Sequence, residues 1–374
     1  MPAISQSLGP VAVTGCSGFT GGHMVREMAL HGYQVRACIR DANSWRGQDA
    51  VNYLSSIPNV EIYDGCDLFI EGSYDDAFDG CSAVFQVAAV LGNSADGKSQ
   101  PLGSGDVPTD IYDGGIKGTQ NVIDSINRAS SIRRLVYTSS MAAVAGRRAM
   151  TVEPGYEWTE SDWASDGVDE QRWQHPANSY ARSKVETEQL INRAGADSGG
   201  RWDAVTMCPA MICGPILFKA QVGQWIEQIG RMANNETPSW PSPYDMYYNI
   251  IDVRDLVKGH RLAAELDLDH SSTTGGPRYL MHGSGGRSAL LFSEDVRGII
   301  HKYFPSFELG RPQPVPNRDE EADHDGKPPI PHAKNDCKKA KEVLGATIRP
   351  VDDTIRAVVE TSIELGVIEP KLVA

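Results

Sequence analysis

Pro10-Val11-Ala12-Val13-Thr14 runs directly into Gly15-Cys16-Ser17-Gly18-Phe19-Thr20-Gly21, and this stretch decides the fold. The first part is a short apolar run followed by glycines, the pattern of a parallel strand buried on both faces. Gly21 to His31 then places Met24, Val25, Met28 and Leu30 at helical spacing. A glycine-rich turn between a strand and a helix suits a dinucleotide. Gly15 permits the tight turn, Gly18 lets backbone approach a pyrophosphate, and Gly21 lets helix and strand pack closely. The free N–H groups and positive dipole end of the helix face the phosphates. The alternative is a bare structural turn, against which the strand–turn–helix context speaks.

Outward from this turn the alternation continues. Tyr33–Ile39, Asn59–Tyr63, Ala83–Ala88, Arg134–Thr138 and Trp202–Met207 read as strands. Ile116–Arg128 and Asn178–Ala194 read as helices, and Ile251–Leu266 as another. Repeated βαβ units predict an α/β fold, a Rossmann-type doubly wound parallel sheet with helices on both faces. A smaller C-terminal lobe for substrate is expected. On this reading residues 1–213 are mainly the dinucleotide-binding domain. Residues 214–374 are mainly the substrate-binding lobe, interleaved with Rossmann elements at about 248–266. Gly214–Tyr247 is rich in Pro, Trp and Met with weak periodicity, and Gly310–Pro331 reads as loop. Lys334–Gly366 reads as two short helices around Arg349-Pro350.

The second strand bears on the cofactor. An acidic residue near its end holds the ribose 2′-hydroxyl of NAD. Here the strand ends Val35-Arg36-Ala37-Cys38-Ile39-Arg40, and Arg46 follows. Two guanidinium groups can clamp a 2′-phosphate, which points to NADPH (NADP+). The alternative is a pair of solvated arginines, one neutralised by Asp41.

Tyr180-Ala181-Arg182-Ser183-Lys184 falls on a predicted helix, with Tyr180 and Lys184 one turn apart on one face. A phenol titrates near ~10 and is a poor acid at neutral pH, and a neighbouring ammonium favours its ionised form. Tyr180 is therefore a candidate general acid, tuned by Lys184. Val136-Tyr137-Thr138-Ser139-Ser140 ends the fifth strand at the carboxyl edge, where doubly wound sheets bind ligands. Ser140 is the candidate to hydrogen-bond the substrate oxygen and hold Tyr180. Its alternative reading is a helix-capping serine.

Composition narrows the classes. With 49 acidic and 35 basic residues the formal charge is −14, which argues against nucleic acid and anionic membranes as bulk partners. Seven scattered cysteines without a CxxC pair suggest reduced, buried thiols, and nine dispersed histidines suggest no metal site. No basic n-region opens the chain and no segment has the ~18 apolar residues of a span, so a cytoplasmic location is expected.

Glycine turn, Ser140 and Tyr180-x-x-x-Lys184, in that order, resemble the extended short-chain dehydrogenase/reductases. The likeness is to their dihydroflavonol reductase, cinnamoyl-CoA reductase and aldehyde reductase branch, from about Val11 to Gly366. Arg40 and Arg46 match a basic pair that reads NADPH in that branch. The resemblance implies that Ser17, Phe19 and Thr20 join the glycines at the cofactor, and that Asp67-Leu68 faces the adenine. It places Val87, Ala88 and Ala89 along the cofactor and Pro209 and Ile212 in a loop beside the nicotinamide, where Tyr180 and Lys184 also reach. Asp252-Val253-Arg254-Asp255-Leu256 and Arg349-Pro350 match further landmarks. A homodimer is common in the family.

The chain also departs from the branch. Asn178-Ser179-Tyr180-Ala181-Arg182-Ser183-Lys184 lacks the Asn-Trp-Tyr-Cys-Tyr-Gly-Lys string of true cinnamoyl-CoA reductases. The residues after Ser140 lack the asparagine that dihydroflavonol reductases use. Gly115 stands where many extended members carry asparagine. The resemblance implies NADPH-dependent reduction of an aldehyde or ketone, the partner being a small carbonyl compound. A hydrophobic pocket is suggested by Trp225, Met232, Trp240, Met246 and Tyr247, whose alternative is ordinary core. The segment Leu91–Tyr112 is either a lid or a tolerated insertion. A 3-hydroxysteroid dehydrogenase or nucleotide-sugar epimerase shares the Ser-Tyr-Lys set but commonly uses NAD. A silent NADP-sensing protein usually loses Tyr or Lys.

Overall fold

The computed structural model describes residues 4–90, 110–146, 156–175, 178–236, 248–268, 277–283, 290–291, 293–309 and 337–373. The first half alternates as expected. It contains β1 (Val11–Val13), α1 (Phe19–Leu30), β2 (Val35–Cys38), α2 (Trp45–Leu54), β3 (Val60–Tyr63), α3 (Asp75–Phe78), β4 (Ala83–Gln86), α4 (Asp110–Arg128) and β5 (Arg134–Thr138). The second half contains α5 (Glu170–Trp173), α6 (Ser179–Asp197), β6 (Asp203–Pro209), β7 (Met211–Cys213), α7 (Gln224–Ala233), β8 (Tyr248–Asp252) and α8 (Val253–Glu265). It closes with β9 (Arg278–Met281), β10 (Leu290–Leu291), α9 (Ser293–Tyr303), α10 (Lys338–Leu344) and α11 (Val351–Glu364).

Seven strands form one sheet in the order β3-β2-β1-β4-β5-β6-β9, every neighbouring pair parallel. The order reverses between β1 and β4, which opens a crevice at their carboxyl ends. Alternate residues of each strand feed opposite layers. Val11, Val13, Phe85, Val136 and Val205 pack with Met24 and Met28 of α1 and Leu256 of α8. Ala12, Val84, Leu135 and Tyr137 pack with Ile123 and Ile126 of α4 and Ile191 of α6. Helices cover both faces, so the central strands β1 and β4 are buried throughout, whereas the edge strand β3 carries the exposed Glu61.

Arg134, fully buried at the start of β5, ties the layers together. Its Nε and Nη2 donate to Asp203 at 2.8 and 2.7 Å, and Nη1 donates to the carbonyls of Ala263 and Leu266 at 2.9 and 2.7 Å. The last carbonyls of α8, which have no intrahelical donor, are thereby satisfied.

The second sheet is small, in the order β10-β8-β7, with β7 and β8 parallel and β10 antiparallel. Its apolar layer joins Ile226, Ile229 and Met232 of α7, Val296 and Ile300 of α9, and Ile355 and Val358 of α11.

Several expectations are corrected here. The stretch read as helix from Ile251 begins as strand β8, and Asp252 caps α8 by accepting from Arg254 N at 2.8 Å. Residues 110–112, assigned to a loop, form the first turn of α4. Strand β9 was not foreseen, and it returns the chain from the lobe to the main sheet. Of the two terminal helices, α10 joins the main core through Ala340 and Leu344, whereas α11 joins the lobe. Met232 is lobe core and not a pocket wall. Trp240, Met246, Tyr247, residues 91–109 and Gly310–Pro331 lie outside the described residues.

Candidate active site

The glycine turn sits in the crevice between β1 and β4. Gly15 has φ +69°, and a Cβ there would stand 2.9 Å from Ala88 Cα. A Cβ on Gly21 would meet the Gly15 carbonyl oxygen at 2.2 Å, so the close approach of α1 to its own turn requires glycine. Thr14 stitches the two strand ends. Its Oγ1 donates to Gln86 Oε1 at 2.9 Å and accepts from the N–H of Val87 and Ala88 at 3.1 and 3.0 Å. Thr14 and Gln86 were absent from the sequence-derived site, although Thr14 directly precedes the first glycine.

A dinucleotide fits these residues. Gly18 caps α1 with no side-chain hydrogen bond, leaving its first N–H groups for an anion, and Ser17, Phe19 and Thr20 are half-buried around it. Arg40 and Arg46 are exposed, and among the described residues neither has an ion-pair partner. Asp41 does not neutralise them: its Oδ1 accepts from the N–H of Asn43 and Ser44 at 2.9 and 3.1 Å. Arg46 lies over the exposed Trp45 ring, 5.3 Å from its centroid. Asp67 is pinned by Ser73, whose Oγ donates to the Asp67 carbonyl at 2.7 Å, and Leu68 O accepts from Asn121 Nδ2 at 2.8 Å. Ala89 is exposed beyond β4, Pro209 is buried at the end of β6, and Ile212 is half-buried in β7.

Ser140, Tyr180 and Lys184 come together at the carboxyl edge of β5. Ser140 Oγ accepts from Ala142 N at 3.1 Å, the geometry of a capping serine, and its side chain neighbours the Tyr180 phenol. Burial pushes the Tyr180 phenol above its ordinary value, and the neighbouring Ser140 hydroxyl draws it back. Lys184 differs from expectation. Its Nζ donates to the Thr138 carbonyl at 3.0 Å and to Tyr137 Oη at 3.2 Å, and it stands 6.0 Å from the Tyr180 ring centroid. Its pKa is lowered to about 8 by burial, with the Glu188 carboxylate pulling the other way.

Beneath this edge lies a polar layer that sequence reasoning missed. His260 Nδ1 bonds the Leu256 carbonyl at 2.9 Å, so that nitrogen carries the proton. Its Nε2 therefore accepts from Thr138 Oγ1 at 2.8 Å. Ser139 donates to Glu188 of α6, which accepts Arg278 Nε of β9 at 2.7 Å. Tyr180, Lys184 and Glu188 follow at intervals of four, the one signal in the sequence that marks Glu188. At Gly115 a Cβ would stand 2.1 Å from Ser183 Oγ and 3.4 Å from its Cβ, so a side chain there requires the Ser183 hydroxyl to turn aside.

A seven-stranded parallel sheet with a glycine turn at its switch point, and Ser140, Tyr180 and Lys184 at the same edge, defines an extended short-chain dehydrogenase/reductase. Residues 11–273 match the NAD dependent epimerase/dehydratase family, and the chain belongs to that family. It is 28% identical to the cinnamoyl-CoA reductase CAD2 of Medicago truncatula over 362 residues, 96% of this chain and 97% of the relative. It is 30% identical over 234 residues to the bifunctional dihydroflavonol 4-reductase/flavanone 4-reductase of Pyrus communis, 61% of each chain. Among solved structures, Gre2 from Candida albicans in complex with NADPH is similar in fold. Its TM-score is 0.72 at 22% identity, covering 95% of this chain and 99% of that one.

Proposed function

We propose that the protein is an NADPH-dependent reductase of aldehydes or ketones, acting on hydrophobic or aromatic carbonyl compounds in the cytoplasm. The observation that carries this reading is the placement of Ser140 at the end of β5 beside Tyr180, with Lys184 buried one turn further along α6 and bonded to Thr138 O, at the sheet edge that also holds the glycine turn. Names of the relatives, a cinnamoyl-CoA reductase and a dihydroflavonol reductase, support a reductase over an epimerase. Arg40 and Arg46 support NADPH over NADH, because two exposed guanidinium groups favour an extra phosphate.

NADPH, which the glycine turn with Arg40 and Arg46 would hold, would supply the hydride for reduction of a carbonyl carbon. Tyr180 donates a proton to the carbonyl oxygen. Ser140 hydrogen-bonds that oxygen and holds the phenol in line. Lys184, anchored on Thr138 O and Tyr137 Oη, places its positive charge near the phenol and favours the ionised form left after proton transfer. Trp225, half-buried beside the lobe core, is the described member of the proposed hydrophobic wall.

Tyr180→Phe removes the proton donor and keeps the ring. NADPH binding, followed by fluorescence, is expected to persist, while the rate falls at least ~100-fold. Near-full turnover in this variant would rule out the assignment.

A further inference from the structure

The helix that carries Tyr180 and Lys184 buries a third ionisable residue on the same face. Glu188 has no exposed surface and lies one turn past Lys184. One carboxylate oxygen accepts from Ser139 Oγ, the residue next to Ser140, and Cys208 Sγ approaches the same oxygen at 3.8 Å. The other accepts Arg278 Nε at 2.7 Å. Arg278 is itself 1% exposed. Its Nη1 donates to the carbonyls of Glu160 and Asp162 at 2.8 Å each, and its guanidinium lies 3.8 Å from the Trp163 ring centroid. Trp163 packs with Ala143, just beyond Ser140. One buried carboxylate thus connects the end of β5, helix α6, strand β9 and the segment flanking the Ser140 turn.

We propose that Glu188 is a positioning residue for Ser140 and Lys184, holding the β5 end through Ser139 and placing a buried carboxylate one turn from Lys184 on the same face of α6. The proposal rests on the reductase reading for its consequence in catalysis, but not for its electrostatics. A buried pair of opposite charges joined to two further donors is costly to assemble without a function, since apolar side chains of the same size fill such space equally well.

Among the described residues, the titratable groups facing Lys184 are Tyr180 and Glu188 on α6 itself, Tyr137 on β5 and Cys208 on β6. Tyr112 of α4 bonds Glu186 and lies under Arg182, on the part of α6 that meets α4. Burial drives the Lys184 ammonium toward deprotonation, and Glu188 is the first opposing influence. Removal of the Glu188 charge therefore lowers the Lys184 titration further.

The test is direct titration of Lys184 by the 13Cε shift in lysine-labelled protein, the resonance being assigned with Lys184→Arg. In Glu188→Gln, which keeps an oxygen for Ser139, the midpoint is expected to fall by about one pH unit or more. If Glu188→Gln leaves Arg278 uncompensated and unfolds, Glu188→Gln/Arg278→Gln is measured instead, where a smaller fall in the midpoint is expected because the Arg278 cation is lost together with the carboxylate. An unchanged midpoint in a folded variant would overturn the proposal. A merely structural role shifts thermal stability and leaves the titration in place. The titration uses no substrate, so Tyr180→Phe retaining activity would refute the reductase reading and leave this result standing.

Discussion

His260 and His23 show how burial sets the charge of single residues around the site. Both are pushed down to about 4 from 6.5, chiefly by burial. His260 is held neutral between Leu256 O and Thr138 Oγ1, and His23 donates its Nε2 proton to the Pro215 carbonyl at 2.8 Å. Between those two values the unfolded chain binds more protons than the folded one. Stability is therefore full above pH 6.5 and is lost as pH falls toward 4, by up to about 3 kcal/mol per histidine. His260→Gln, which still accepts from Thr138, removes one of the two contributions. Urea unfolding between about pH 5 and pH 7 is expected to show a shallower loss of stability toward acid in this variant. A slope equal to that of the parent would mean that His260 is not buried as the neutral form.

At the same scale, some of the site was legible and some was not. Gly15, Gly18, Gly21, Ser140, Tyr180 and Lys184 announce themselves through local spacing. Glu188 shares their spacing, four residues past Lys184, yet a glutamate inside a helix ordinarily marks a solvated face, and its burial depends on Arg278, 90 residues further along. The contacts of Lys184 were equally hidden. The acceptors are the Thr138 carbonyl and Tyr137 hydroxyl, on a strand 46 and 47 residues away.

At the scale of elements, the fit of α1 against its own turn is the most demanding contact. Gly21→Ala forces a Cβ to within 2.2 Å of the Gly15 carbonyl oxygen, a backbone atom that cannot swing aside. It is expected to destabilise the fold by about 1–3 kcal/mol and to weaken NADPH binding. Gly298 in α9 is the control, since a Cβ there meets nothing within 4 Å. Gly298→Ala is expected to be neutral or stabilising by about 0.5–1 kcal/mol. Thermal unfolding of both variants checks the contrast, and equal effects would contradict the packing described. The strands β1 to β6 were readable because continuous apolar runs ended at glycines and hydroxyl residues. Strand β8 was misread because no breaker separates it from α8: Asp252 ends the strand and caps the helix at once. Strand β9 follows its buried arginine with only Tyr279, Leu280 and Met281, too short an apolar run to stand out in the sequence.

At the scale of the whole molecule, the lobe is tied to the cofactor turn by the chain that leads into it. Gln221 Nε2 donates to the Gly18 carbonyl at 3.4 Å, and its Oε1 accepts from Leu217 N at 2.7 Å. Ala220 N donates to Asp49 of α2 at 2.7 Å. The lobe and the glycine turn thus share a frame, and if the lobe holds substrate as proposed, that frame serves a transfer whose reacting atoms must be held in near-attack geometry. Arg40 before α2 and Arg46 in its first turn are exposed in a chain of net charge −14, and a specific anionic ligand there is part of the proposal above.

The measurement that tests the central claim most directly is cofactor oxidation by the purified protein, NADPH against NADH. The panel would contain aromatic and aliphatic aldehydes, dihydroflavonols, hydroxycinnamoyl-CoA esters and 3-ketosteroids. The account predicts turnover of at least one carbonyl, with NADPH preferred. Tight NADPH binding with no turnover of any of them, or turnover that prefers NADH, would contradict it.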